Sequence, residues 1–296
     1  MNTPLTLSPL DHASSALARR RRWEETLIKT IAYLAILVTS AFMIFPFVWM
    51  LVSSFKPFQE IFVGDSFLPR DPTLANYRSL FAQSDALAKI WNSLYIATLG
   101  TVLSVFLCAL GGYAFAKFRF PGRAALFSVM LASTVIPFAV VMVPLFVMMR
   151  NTFDWIDTPW PLIIPGAANA FGIFFMRQYM FSVPDEMLDA ARIDGTTEFG
   201  IFLRMVLPTT VPALVSLAII FFMGSWNNFL WPSAVLRSPE NHTVPLMLQS
   251  LQGPPGRTAF DVLMAGSVVS LLPLLVVFLL LQRHLIAGIT AGSIKG

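Results

Sequence analysis

Charged residues cut the chain into long uncharged runs. Six stand out: Thr30–Phe55 (26 residues), Ile90–Ala116 (27), Ala124–Met149 (26), Thr158–Met176 (19), Met205–Leu236 (32) and Val262–Gln282 (21). Together they hold about half of the 296 residues. A helix that crosses a bilayer needs roughly 20 apolar residues, within a range of about 17–25. Strands of a membrane barrel would instead alternate apolar and polar positions over segments of about ten, and these runs do not alternate. The pattern predicts six transmembrane helices, over about 30–54, 91–115, 124–148, 160–180, 208–230 and 262–282. The next longest uncharged stretch, Asn241–Gly256, is rich in Pro, Gln, Gly and Asn and is not a span.

Composition agrees with the pattern. The chain is 56% hydrophobic and 12% charged, with a mean hydropathy of +0.70, where soluble chains run about 25% charged. A disordered chain would be short of apolar residues. Cys108 is the only cysteine, which excludes a disulfide framework. The expected fold class is all-α, a polytopic membrane protein. Its first span is too long and starts too late for a secretory signal, and no small-x-small cleavage site follows it. That span is expected to stay in the mature protein.

Six spans place both termini on one side. With that side cytoplasmic, 13 of the 20 basic residues fall inside and 7 outside, in line with the positive-inside rule. The Arg19–Arg22 cluster before the first span is the strongest part of this bias. Net charge +4 therefore reads as a topology signal, and no nucleic-acid partner is expected. The expected division is a cytoplasmic segment over 1–29, a six-helix domain over 30–286 and a cytoplasmic tail over 287–296.

The inner loop between spans four and five, 184–207, is the most informative stretch. It contains Pro184-Asp-Glu-Met-Leu-Asp-Ala-Ala-Arg-Ile-Asp-Gly195. Proline suits a first helical position and glycine a stop, so a helix of about ten residues fits between them. Acidic residues in its first turn complement the helix dipole. Leu188, Ala191 and Arg192 share one face, Asp185 and Asp189 another. So short a helix does not stand alone in water; it makes sense as a knob docked into a partner, with Ala190–Ala191 permitting close approach. A second amphipathic piece runs from Thr197 to Met205.

Asp189-Ala-Ala-Arg-Ile-Asp-Gly195, followed by Phe202 and Leu207-Pro208, resembles the EAA loop of bacterial ABC-importer permeases, with Asp189 in place of the usual Glu. The resemblance covers nearly the whole chain. Asn92-Ser-Leu94, Tyr113-Ala-Phe-Ala-Lys-Phe-Arg-Phe-Pro-Gly122, Ser225-Trp-Asn-Asn-Phe-Leu-Trp-Pro232 and the tail Gln282–Gly296 are similar to the carbohydrate-uptake branch, in particular its maltose-type second permease subunit. This resemblance implies a type I importer permease fold in the bacterial cytoplasmic membrane. It implies a second homologous permease subunit, a dimer of ABC ATPase subunits and a periplasmic or lipid-anchored solute-binding protein as partners, besides membrane lipid. It places Asp189, Ala190, Ala191, Asp194 and Gly195 in an ATPase cleft. Gly292 and Lys295 in the tail would face the ATPase dimer. The cargo would be a sugar or oligosaccharide; the same machinery could import glycerol phosphate or a charged oligosaccharide, and a stand-alone channel is the alternative of another class.

No G-x-x-x-x-G-K-[ST] motif is present, so ATP and Mg would be held by the partner and this chain binds no cofactor. His12, His242 and His284 are scattered, which leaves no metal constellation. No charged residue lies mid-span, which argues against ion-coupled secondary transport. Polar residues inside the spans mark candidate pathway positions: Asn169 in span four, and Trp226, Asn227 and Asn228 in span five. Amides and flat aromatic faces suit sugars; interhelical hydrogen bonding and interfacial anchoring by tryptophan are the other reading. Ser133, Thr134 and Pro137 mark a possible bend in span three.

Overall fold

The computed structural model describes residues 9–63, 66–253 and 259–291, with side chains over 23–62, 66–253 and 259–282. Among these residues all regular structure is helical. Helix α1 (Pro9–Ser53) is followed by two short pieces, α2 (Phe58–Val63) and α3 (Ala75–Gln83), and then by α4 (Ala86–Lys117). Next come α5 (Arg123–Ala132), α6 (Phe138–Asn151), α7 (Trp160–Ile163) and α8 (Ala170–Met180). The 184–207 loop supplies α9 (Asp185–Ile193), α10 (Glu198–Ile201), a π-turn (Phe202–Val206) and the start of α11 (Leu207–Thr209). The remainder is α12 (Val211–Trp226), α13 (Leu230–Val235), α14 (Val244–Leu251) and α15 (Phe260–Ala291).

Among the described residues three helical stretches are long and apolar enough to cross a membrane: Trp23–Ser53, Ala86–Lys117 and Phe260–Gln282. Two other runs fold as bent pairs. The stretches Arg123–Val135 and Phe138–Asn151 meet at 100°, because Ile136, held extended before Pro137, cannot continue the helix. Ser133 Oγ and Thr134 Oγ1 donate to the carbonyls of Met130 (2.6 Å) and Leu131 (2.7 Å), satisfying groups near the break. The bend read from Ser133, Thr134 and Pro137 is therefore present. Glu198–Thr209 and Val211–Trp226 meet at 82°, where Thr210 Oγ1 donates back to Val206.

The fourth run departs furthest from its expected single helix. Its four-residue α7 and eleven-residue α8 are separated by Ile164–Asn169, which contains Pro165 and Gly166. Proline removes a helix donor and glycine is a poor helix former. At about 1.5 Å per residue, α8 covers only about half of a bilayer core of roughly 30 Å. Both terminal helices also outrun the expected limits, since α1 starts at Pro9 and α15 continues to Ala291. Uncharged runs mark where a helix is apolar, and charged or small residues with good helix propensity can extend it.

The long α4 lies at the centre, packed against α8 and α12. Its buried face is built of small residues, among them Ser93, Ala97, Gly100, Ser104, Cys108, Ala109, Gly112 and Ala116, which let membrane helices approach closely. A Cβ on Gly112 would lie 2.6 Å from Met176 Cβ and 2.8 Å from the Arg177 backbone nitrogen. Helix α1 is the opposite case: none of its most apolar window is buried.

Candidate functional site

The 184–207 loop forms the expected short helix, one residue later than the simplest reading. Pro184 is the N-cap rather than the first helical residue, and α9 runs from Asp185 to Ile193. Gly195 ends it with φ +77°, a backbone conformation costly for residues with a Cβ. The amides of Gly195 and Thr196 return to the carbonyls of Arg192 and Ala191, both at 3.0 Å, closing the helix end. Leu188 and Ala191 are buried against the bundle. Asp189, Ala190, Ile193 and Asp194 are exposed, with Ile193 87% exposed. Of the five loop residues singled out from sequence, Ala191 thus belongs to the inner face, while Asp189, Ala190, Asp194 and Gly195 face outward.

Two ionic latches fasten this helix to the rest of the chain. Arg192 donates from Nη1 to Asp189 Oδ1 and from Nε to Glu198 Oε1, each at 2.7 Å. Glu198 in turn accepts from the buried Tyr113 hydroxyl of α4 at 3.1 Å. Lys117, at the end of α4, donates to the Val183 carbonyl and to Asp185 Oδ1, each at 2.6 Å. Its side chain is 6% exposed, so charge and backbone partner are both needed there. Hydrogen bonding from Lys117, then its charge, lowers the Asp185 pKa. The Arg192 hydrogen bond outweighs partial burial and lowers that of Glu198. Sequence spacing does not disclose these pairs: Arg192 and Glu198 are joined across the Gly195 turn, and Tyr113 and Glu198 lie 85 positions apart.

The second site is a cavity of about 390 Å³ between the middle of α4, the α7–α8 break and the end of α12. Its walls include Gly100, Thr101 and Ser104 from α4, Gly166 and Asn169 from the break, and Gly224, Ser225 and Asn228 around the end of α12. Irregular backbone at membrane depth is tolerated where it is buried in protein or lines a wet cavity, and the Ile164–Asn169 link lines this one. Asn169 also caps α8: its Oδ1 accepts from Gly172 N at 2.7 Å, leaving its NH2 for another partner.

Only two of the four pathway candidates reach this cavity, Asn169 and Asn228. Trp226 is drawn into the core instead. Its ring stacks on Phe222 at 5.9 Å, and its Nε1 donates to the Ser270 carbonyl at 3.2 Å. Asn227 is exposed and donates to Met223 O at 2.9 Å. The Trp226 bond joins two helices, whereas that of Asn227 stays within the end of α12. Thr101, Ser104 and Ser225 were not among the pathway candidates read from sequence; two hydroxyls three apart, directly after Gly100, are the signal that could have found the α4 pair. Gly292 and Lys295 lie outside the described residues. No group of three or more potential metal-ligating residues occurs among the described ones.

Comparison with known proteins places these features in a family. A model described as "Binding-protein-dependent transport system inner membrane component" matches residues 108–291. The arabinooligosaccharide transport permease AraQ of Halalkalibacterium halodurans is 39% identical over 86% of this chain and 91% of its own length. The lactose transport permease LacG of Rhizobium radiobacter is 35% identical over 90% and 96%. Among solved structures, a chain of a bacterial ABC transporter that imports the acidic polysaccharide alginate superposes with a TM-score of 0.77, at 22% identity, over 96% of this chain and all of that one. The chain belongs to the inner-membrane permease components of binding-protein-dependent ABC importers. It is a transport subunit with the ABC importer permease fold, not an enzyme.

Proposed function

We propose that the chain is one of two homologous permease subunits of an ATP-driven importer of sugars or oligosaccharides. In this reading an ATPase dimer docks on the 184–207 loop, a solute-binding protein delivers cargo on the opposite side, and ATP and Mg stay on the ATPase. The curated relatives named for arabinooligosaccharide and lactose transport, at 39% and 35% identity, support a sugar as cargo. Six crossings follow if each bent pair counts once and the α7–α8 segment crosses as a broken span. The 13-to-7 distribution of basic residues supports cytoplasmic termini. The uncovered apolar surface of α1 is available to lipid and to the second permease.

The observation that carries the docking role is the build of α9. Its inner face is anchored by Leu188 and Ala191 and its sides by Arg192 and Lys117, while Asp189, Ala190, Ile193 and Asp194 stand outward. Binding to a preformed element costs less ordering entropy. ATP-driven closure of the ATPase dimer would move the latched helices between outward-facing and inward-facing arrangements. Ala190→Arg tests this, because Ala190 is exposed and the change leaves the interior intact. The expected result is normal membrane insertion with loss of ATPase co-purification and of uptake. Normal co-purification and uptake would remove the docking role.

A further inference from the structure

Three glycines set the cavity apart from ordinary packing. A Cβ built on Gly100, Gly166 or Gly224 meets nothing within 4 Å, and none of the three has positive φ. Gly100 and Gly224 lie inside helices, where alanine is the better helix former. Neither backbone strain nor close approach demands glycine at these places. All three border the same void. What they provide there is room.

The walls of that room are mixed: apolar at Leu162, Ile163, Ile220 and Phe221, polar but uncharged elsewhere. Thr101, Ser104, Asn169, Ser225 and Asn228 contribute hydroxyls and amides, and none of the twelve lining residues is ionisable. Thr101 is 7% exposed, and its hydroxyl has no hydrogen-bond partner among the described residues. A buried hydroxyl without a partner is unfavourable, and a turn of the Thr101 side chain toward the void to meet a ligand hydroxyl would remove that cost. An anionic sugar would meet no counter-charge, and an unpaired charge at this depth is expensive. The volume sits at the small end of the usual range for ligand pockets, about 300–1,000 Å³.

We infer that this cavity is a saccharide subsite on this subunit, in which Thr101, Ser104, Asn169, Ser225 and Asn228 hydrogen-bond an uncharged sugar ring and Gly100, Gly166 and Gly224 leave the space for it. The inference rests on the reading of the chain as a sugar permease and adds to it a place and a charge preference.

The test uses the complete complex, both permeases, ATPases and binding protein, reconstituted in liposomes. The probes are labelled arabinotriose, lactose and a uronic-acid trisaccharide. Gly224→Leu starts from a Cβ that meets nothing within 4 Å and extends a side chain toward the void. It should assemble normally, unfold at no lower temperature, keep ATP hydrolysis stimulated by loaded binding protein, and lose more than tenfold in uptake of the neutral sugar. Thr101→Val should lower that uptake about three- to tenfold, the effect of one hydrogen bond. Uptake by Gly224→Leu within twofold of wild type overturns the subsite. Failure of Gly224→Leu to hold the second permease also overturns it, by making the void a socket for that subunit. Equal uptake of the uronic-acid probe by wild type overturns the charge preference. If wild type takes up none of the three probes, the sugar reading itself falls and the subsite with it.

Discussion

Around Gly112 and Gly172 the helices touch; around Gly100, Gly166 and Gly224 they stand apart. A Cβ on Gly172 would lie 2.6 Å from Cys108 Sγ, and one on Gly112 equally close to Met176 Cβ. The same residue type thus serves contact at one level of α4 and clearance about three turns away. The difference teaches that a small-residue stripe on a membrane helix is not one device. Toward the latched end it joins α4 to α8. Near the middle, where α4 also packs against α12, it leaves clearance for the cavity.

Substitutions should separate the two levels. The largest effect is expected at the contact glycines. Gly112→Val forces a branched side chain against Met176 and the Arg177 backbone, and overpacking of this kind costs about 1–3 kcal/mol. Recovery of folded complex from membranes should collapse, as fluorescence-detected size exclusion would show. Recovery equal to that of Gly224→Leu would mean the two levels do not differ.

Gly195 comes next. Valine there must adopt φ +77°, at about 1–2 kcal/mol, and it deforms the end of α9. Uptake should be abolished while the chain still inserts, as counter-selected membrane fractionation and transport assays can read out separately. Uptake at normal rates would show that this end of α9 is unimportant for coupling.

Lys117→Met keeps the stem and deletes both hydrogen bonds to Val183 and Asp185. It should uncouple rather than unfold, raising the ATP hydrolysed per sugar imported several-fold. A proportional loss of both activities would assign Lys117 a purely structural role.

The Glu198 latch predicts a pH effect of smaller size. Its carboxyl pKa is lowered in the folded protein, so its contribution is present above the ordinary carboxylate value of about 4.3 and is lost as pH falls through the depressed one. The thermal stability gap between wild type and Glu198→Gln should stay constant from pH 7 to 5 and close only in stronger acid. A gap that closes near pH 6 would point to another group. Trp226→Phe should have the smallest consequence, losing one hydrogen bond of about 1 kcal/mol with no change in sugar preference. A changed preference would return Trp226 to the pathway.

Much of the fold was legible because lipid imposes a simple rule on composition. Long uncharged runs marked α4 and the apolar parts of α1 and α15, and the Pro184–Gly195 punctuation marked α9. The broken fourth run was hidden, since nineteen uncharged residues look alike whether or not Pro165 and Gly166 interrupt them. Which of the four polar candidates would line the cavity was half legible. Intramembrane asparagines are rare enough to notice, but sequence does not say which way Trp226 and Asn228 turn at the end of α12. The latches were invisible, because Tyr113, Arg192 and Glu198 meet only after α4 and the loop are folded together.

Helix α1 carries a consequence for how the protein is made. None of the most apolar window of its stretch Trp23–Ser53 is buried, yet the helix meets α15, the last helix among the described residues. Roughly 200 residues separate the two, so at about 5–20 residues per second the first helix waits some 10–40 seconds in the bilayer before that neighbour exists. Its self-sufficiency in lipid is what makes that wait safe.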